Sequence, residues 1–291
     1  MIPAAFDYHA PATLAEALAL LERHGEDAKV LAGGQSLLPL LKLRLGQVAH
    51  LVDIGRVPGL EYIREESGFL KIGAATRESA LERSELVRLK YPILLDTAAV
   101  IADPLVRNRA TVGGNLAHGD PANDHPATML ALGASVVARS PKGERTIPIE
   151  SFFTGLFTTA LAPNEVLTEI RIPIPPPRSG GAYVKLERKV GDFATAAAAV
   201  QVTLGPKGEV ERAGVGLTNA GPKPIKAIQA EQYLKGRKPD ETTIAEAARL
   251  AAGATVPSAD RRGSVEYKRE MARVLTARAL RTAIRRAGGR S

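Results

Sequence analysis

Lys29-Val30-Leu31-Ala32-Gly33-Gly34-Gln35-Ser36-Leu37-Leu38-Pro39 runs from a short apolar strand straight into a glycine pair and out into a second apolar run. A strand that ends on two glycines brings several backbone N–H groups to one edge of a sheet with no Cβ in the way, an arrangement that suits an anion such as a pyrophosphate. Gln35 and Ser36 add side-chain hydrogen bonds. An ordinary tight turn reads the same way. The stretch is not a Walker loop, since no Gly-Lys-Ser/Thr follows, nor the Gly-x-Gly-x-x-Gly of a Rossmann site.

Upstream, residues 13–25 read as a helix: Thr13 and Glu16 form a capping box, Leu14, Ala17, Leu18 and Leu21 an apolar stripe, and Gly25 the stop. Downstream, Leu51–Ile54 is a second strand. Residues 1–55 are thus expected to form a small α/β lobe. Residues 56–175 change pattern, with short strands at Phe69–Ala74, Ser135–Ala138, Thr146–Ile149 and Val166–Ile172. Helical stretches lie near Arg77–Glu85, Ile93–Ile101 and Ala127–Leu132, so an α+β unit is expected. The run from Ile172 through Pro173, Pro175, Pro176 and Pro177 to Gly180-Gly181 reads as a linker. Residues 180–291 then offer strands at Tyr183–Arg188, Ala196–Leu204 and Val210–Thr218. Gly205-Pro206-Lys207-Gly208 turns the last two antiparallel, and helices follow at Ile225–Leu234, Thr243–Ala252 and Val265–Arg286.

A second glycine pair sits in Asn108-Arg109-Ala110-Thr111-Val112-Gly113-Gly114-Asn115, roughly eighty residues after the first, and a polar loop leads from it to Asp124. Two such pairs suit a diphosphate held from both sides, with Asp124 accepting hydrogen bonds from sugar or polyol hydroxyls. A loop with no ligand fits the same spacing. His118, Asp120, Asp124 and His125 also offer metal-type ligands, though not at helical i, i+4 spacing. A third stretch, Tyr183-Val184-Lys185-Leu186-Glu187-Arg188-Lys189-Val190-Gly191-Asp192-Phe193-Ala194-Thr195, carries a turn at Gly191-Asp192. That turn sets Phe193 where its ring could pack on a planar ligand, and Lys185 supplies positive charge for a phosphate. Taken alone it is equally a strand, a turn and a buried Phe.

Composition narrows the chemistry. The chain has 291 residues, 45% hydrophobic and 24% charged, ordinary for a globular protein, with aromatics at only 4%. It has no Cys, which excludes a thiolate-held iron–sulfur cluster, a disulfide framework and a Cys nucleophile in this chain. Residues 261–291 carry the whole net charge of +8, so the body is balanced. Basic residues interleaved with aromatics are missing, and nucleic-acid binding is not expected. The basic segment reads as a solvated helix face or a docking surface for an acidic partner. Met1–Asp7 shows no signal-peptide pattern and no apolar stretch is long enough for a transmembrane segment, so a cytoplasmic location is expected. The five His residues form no recognisable triad and no Gly-x-Ser-x-Gly elbow is present. No catalytic side chain is assigned.

In combination the motifs are specific. Ala32–Pro39 with Lys42-Leu43-Arg44, then Thr111–Asn115, then Arg188–Ala196 and finally Leu217-Thr218-Asn219 resemble the FAD-binding medium subunits of the molybdenum hydroxylases, most of all the medium chains of aerobic carbon monoxide dehydrogenases. The match runs in order from about residue 3 to residue 286. The resemblance implies a two-lobed FAD-binding domain of the vanillyl-alcohol oxidase/p-cresol methylhydroxylase type, followed by a C-terminal domain of a three-stranded antiparallel sheet with helices. It implies that Ala32, Gly33, Gly34, Gln35, Ser36 and Leu37, with Thr111, Gly113, Gly114 and Asn115, hold the FAD diphosphate. It places Asp124 at the ribityl or ribose region and Ile101, Leu167, Lys185 and Asp192 among the contacts. Phe193 stands where relatives usually carry Tyr or Trp against the flavin, and Gln35 where a His is common.

The implied activity is electron transfer within a molybdenum-containing dehydrogenase. An iron–sulfur small subunit would deliver electrons taken from substrate by a molybdenum-cofactor large subunit, and FAD would pass them to an external acceptor. A dimer of heterotrimers is the implied assembly and carbon monoxide the first-choice substrate. Xanthine, aldehyde or N-heterocycle dehydrogenases, a free-standing FAD oxidase and a module that has lost its cofactor are the alternatives.

Overall fold

The computed structural model describes residues 2–289, so Arg290 of the basic segment lies outside the described residues. The first unit contains β1 (Asp7–His9), α1 (Leu14–His24), β2 (Ala28–Leu31), α2 (Leu37–Lys42) and β3 (His50–Asp53). Its strands are parallel in the order β1-β3-β2. α1 starts where its cap demands: Thr13 Oγ1 accepts from Glu16 N–H, and the Glu16 carboxylate reaches back to Ala12 N–H. Its stripe Ala17, Leu18 and Leu21 packs on Ala28 and Val52 of the sheet. β1 escaped the sequence reading because its three residues are largely exposed and show no apolar run.

The second unit opens with β4 (Ile63–Glu66) and β5 (Phe69–Gly73). Helices α3 (Glu78–Arg83), α4 (Glu85–Lys90), α5 (Pro92–Ala99), α6 (Pro104–Arg107), α7 (Val112–Ala117) and α8 (His125–Leu132) follow. Then come β6 (Ser135–Ser140), β7 (Gly143–Pro148), α9 (Ile149–Phe152), the small ribbon β8 (Phe153–Gly155) and β9 (Thr158–Thr159), and β10 (Val166–Pro173). The sheet is antiparallel in the order β4-β5-β10-β6-β7. The single helix expected over Arg77–Glu85 is two, because Ser84 ends the first and caps the second by accepting from Val87 N–H.

The third unit holds β11 (Ser179–Leu186), β12 (Ala196–Leu204), β13 (Val210–Thr218), β14 (Ile225–Lys226), α10 (Ile228–Leu234), α11 (Glu241–Gly253) and α12 (Val265–Ala287). The three expected strands are antiparallel neighbours, and the short β14 adds a fourth at the edge, taking Ile225 and Lys226 from the expected helix. Helices cover both faces of this sheet. Ala196, Ala198, Val200 and Val202 belong to the core under α10–α12, while Ala197 and Ala199 belong to the core shared with α5 and α8. That double burial explains why β12 reads as a continuous apolar run rather than an alternation.

Gly180 and Gly181, read as the end of a linker, lie inside β11. A Cβ on Gly180 would collide with the α12 backbone at Ala283 and Ala287. They are there for close helix–sheet packing, and the connecting segment shrinks to residues 174–178. Gly214 and Gly216 of β13 meet α8 in the same manner, each with a Cβ position occupied by a carbonyl, of Ala131 and Ala127. Every residue of α8 is buried. Gly216→Ala is therefore expected to force strand and helix apart at a cost of about 3 kcal/mol, read as a lower urea midpoint. An unchanged midpoint would show that the contact relaxes freely.

Candidate flavin site

The first glycine pair lies just beyond the C-terminal end of β2 and leads into α2. Among the described residues no group accepts a hydrogen bond from backbone N–H of Gly33, Gly34, Gln35, Ser36 or Leu37. Five successive free N–H groups at a helix N-terminus form a nest for an anion. Gln35 donates its side-chain amide to Gly33 C=O, 3.2 Å away, stiffening the turn. Gly34 has φ +74°, which only glycine adopts without strain. A Cβ on Gly33 would strike Arg109 C=O, so this loop rests directly on the chain leading to the second pair.

That second pair departs from expectation. Gly113 and Gly114 form the first turn of α7 rather than a loop, and their N–H groups are already committed. Val112 N–H donates to Thr76 C=O, Gly113 N–H to Ala74 C=O and Gly114 N–H to Thr111 Oγ1. What this stretch contributes is a surface without side chains. Ala32, Gly113, Gly114, Val166 and Leu167 line one cleft between the first two units, with Ala32 Cβ facing Gly114. Asn115 Oδ1, one residue further along α7, is buried without a hydrogen-bond partner among the described residues, a polar atom awaiting a donor.

A second group forms around the start of α8. Asp124 accepts from Tyr183 Oη at 2.5 Å and from Lys185 Nζ at 3.0 Å, and Lys185 also donates to Val100 C=O. The Lys185 side chain is only 2% exposed. Burial pushes the Asp124 carboxyl above the usual carboxylate range against the pull of Lys185 and Tyr183. Burial, with Asp124 beside it, drives the Tyr183 hydroxyl well above its ordinary value. Tyr183 was missed by the sequence reading, yet the signal existed: it lies two residues from Lys185 on one face of β11. Asn123 Nδ2 donates to Asn115 C=O, joining this group to α7.

Ile101 is buried and its carbonyl accepts from Arg107. Beside it, Gly191, φ +82°, packs on Ala102, where a Cβ would sit 2.9 Å from the carbonyl oxygen. Asp192 is clamped by Arg262 and Arg188 and accepts from Phe193 N–H. The Arg262 hydrogen bond, helped by Arg188, holds its carboxyl down at about 2. Phe193 is 48% exposed rather than a buried core residue. Asn219 secures the following chain by donating to Ala194 C=O.

Because the Asp192 carboxyl is depressed in the folded state, the clamp's contribution is present above the ordinary carboxylate range. It is lost only as pH falls through about 2. Limited proteolysis of residues 187–193 is accordingly expected to be independent of pH above the carboxylate range. Asp192→Asn is expected to speed that cleavage at neutral pH, and equal rates would mean that the clamp orders nothing.

The metal reading of the His118–His125 stretch does not hold. His118 packs near Phe157, Asp120 accepts from Ala122 N–H, and His125 is fully buried on Glu78, with Nε2 2.7 Å from the carboxylate. The Asp124 carboxylate is taken up by Tyr183 and Lys185. Three other histidines, His9, His24 and His50, are brought together instead. His24 is held below its ordinary value by desolvation and by its two imidazole neighbours.

A row of free N–H groups, a glycine-walled cleft that starts beside it at Ala32, and a buried Lys–Asp–Tyr cluster suit a dinucleotide cofactor, and the chain belongs to the FAD-binding flavoproteins of the molybdopterin dehydrogenases. Residues 4–175 match the FAD binding domain in molybdopterin dehydrogenase and residues 181–283 the CO dehydrogenase flavoprotein C-terminal domain. The chain is similar to the carbon monoxide dehydrogenase medium chain of Afipia carboxidovorans, 46% identical and covering 99% of each chain. It is 40% identical to the 6-hydroxypseudooxynicotine dehydrogenase complex subunit alpha of Paenarthrobacter nicotinovorans, over 99% of this chain and 97% of that one. Among solved structures it superposes on a carbon monoxide dehydrogenase chain from Hydrogenophaga pseudoflava with a TM-score of 0.95 at 47% identity, covering 97% and 98%. No helix among the described residues is long and apolar enough to cross a membrane.

Proposed function

We propose that this chain is the flavoprotein subunit of a carbon monoxide dehydrogenase, one FAD per chain. Electrons would arrive from an iron–sulfur small subunit, fed by a molybdenum-cofactor large subunit, and leave to an external acceptor. The observation that carries the reading is the row of free N–H groups from Gly33 to Leu37, which follows directly on Ala32 in the wall of the cleft that Gly113 and Gly114 line. Bound FAD supplies redox chemistry that the side chains of a Cys-free protein lack. The chain's own residues bind and orient. Ala32–Leu37 take the diphosphate through backbone donors, with Thr111 and Asn115 opposite. Asp124, fixed by Lys185 and Tyr183, faces the ribityl or ribose part. Ile101 and Leu167 give apolar walls, and Asp192 holds the turn that presents the Phe193 ring to the isoalloxazine. Units 1–55, 56–175 and 180–291 divide the work: nest, wall and clamp. A dimer of heterotrimers and a cytoplasmic location complete the reading.

Similarity over the full length to a carbon monoxide dehydrogenase chain, against lower identity to the pseudooxynicotine enzyme, favours carbon monoxide. The test is flavin reduction by carbon monoxide in the isolated chain and in the chain co-expressed with a large and a small subunit. Reduction is expected only in the complex. Reduction in the isolated chain would favour a free-standing oxidase. A complex reduced by an aldehyde, a purine or another N-heterocycle but not by carbon monoxide would keep the family reading and move the substrate.

A further inference from the structure

Three of the five histidines converge at the end of the first sheet remote from the glycine loop. His9 closes β1, His24 ends α1 and His50 opens β3. Parallel pairing sets Asp7 beside His50 and His9 beside Val52, so all four share one face of the sheet. Val52 and α1 belong to the same core, so that face is the one α1 covers. α1 returns the chain from the end of β1 to the start of β2, and its last residue, His24, lands by the start of β3. The His24 and His50 ring centroids are 3.7 Å apart.

One ring nitrogen from each histidine lies within 4.8 Å of the other two, and no other group of three His, Asp or Glu among the described residues does this. His9 Nε2 and His50 Nδ1 are 3.2 Å apart. Two nitrogens on one tetrahedral zinc sit about 3.3 Å apart, given Zn–N bonds of about 2.0–2.1 Å. Asp7 Oδ2 lies 3.5 Å from His50 Nδ1, within reach as a fourth oxygen ligand. The C-terminal end of α1, with its partial negative charge, favours a cation at the same spot. The three imidazoles are half-buried, and as a group they have little else to do: the cluster's polar contacts are the His9–His50 bond and Asp7.

We propose that His9, His24 and His50 bind one borderline divalent transition-metal ion of the Zn²⁺ or Co²⁺ kind, with Asp7 or water completing the tetrahedron. The ion pins three elements that are otherwise joined by short contacts: the three-residue β1, the end of α1 and the start of β3. His50 begins β3 while the anion nest follows the far end of β2, which runs parallel to it, so His50 stands a full strand length, about 13 Å along the sheet, from the start of the glycine loop. The role is structural, and metal binding is separable from flavin binding.

The test uses untagged full-length protein, stripped with a chelator, dialysed and titrated with Zn²⁺ by calorimetry and with Co²⁺ by visible absorption. One Zn²⁺ per chain is expected, with Co²⁺ giving the intense visible bands of tetrahedral coordination. Loss of an outer-shell partner costs a metal site 10–100-fold in affinity, so His9→Ala, His24→Ala and His50→Ala should each cost more than about 100-fold. Flavin content of the metal-free variants should equal that of the wild type, which establishes that they are folded. His24→Gln provides a milder replacement if His24→Ala melts early. His118→Ala should leave Zn²⁺ binding unchanged. No saturable Zn²⁺ binding by the wild type, or equal affinity and stoichiometry in a folded His24→Ala or His24→Gln protein, overturns the proposal.

Discussion

Lys185→Met is expected to cost the protein about 3–5 kcal/mol of stability, the usual penalty for removing one partner of a buried ion pair. Lys185 Nζ donates to Asp124 and to Val100 C=O from a side chain nearly closed to water. Without it the Asp124 carboxylate keeps only the Tyr183 hydroxyl, and Val100 C=O loses its donor. A large drop in the urea midpoint should accompany a loss of flavin. Adding Asp124→Asn to Lys185→Met should recover much of the stability, since an amide carries no charge to strand, but not the flavin. The burial that pushes the Asp124 carboxyl upward gives this experiment its edge. A single variant that melts like the wild type would mean that the pair is not ionised, and would remove the electrostatic account of this cluster.

Ala32→Asp is expected to weaken FAD binding by at least about 100-fold, since a carboxylate some 4 Å from a phosphate at an effective dielectric near 20 is opposed by about 4 kcal/mol. Ala32 is partly buried and lines the cleft, and its Cβ lies 3.9 Å from where a Cβ on Gly114 would sit, so the new side chain starts from the cleft wall. Gly33→Asp is a poorer probe of the same idea. Its Cβ would strike Arg109 C=O, so the two lobes would separate for reasons unrelated to charge. Flavin content and melting temperature read together separate the cases. Wild-type flavin occupancy in Ala32→Asp would remove the cleft from the flavin site.

The elements with a strong local signal were legible. α1 showed its cap, stripe and stop, and β12 and β13 were readable to the residue, because apolar runs bounded by a Gly-Pro-Lys-Gly turn leave little choice. What could not be read was set by contacts between distant segments. Gly180 and Gly181 look like a linker beside four prolines, and only the approach of α12 to Gly180 and of α5 to Gly181 shows why glycine stands there in a strand. Gly113 and Gly114 look like the first pair, but Thr111 caps a helix there, and whether an N–H is free depends on Thr76 and Ala74, far away in sequence. The candidate site residues were read as motifs. Their connections, such as Tyr183 to Asp124 and Arg262 to Asp192, needed the fold. His9, His24 and His50 are separated by 14 and 25 intervening residues and carry no motif at all.

The meeting of β13 with α8 through Gly214 and Gly216 governs how the polypeptide comes apart. The exposed run Pro176-Pro177-Arg178 is the obvious place for a protease, and a cut there severs only a bond. The two fragments would stay locked by backbone-to-backbone contact and by the bridge from Lys185 to Asp124, and would elute as one species with a full flavin complement. Expressed separately, the N-terminal piece would bare α8, buried on every side in the intact chain, and the C-terminal piece would bare Ala197 and Ala199. Each alone is expected to aggregate, and the two produced together are expected to reassemble as a split protein.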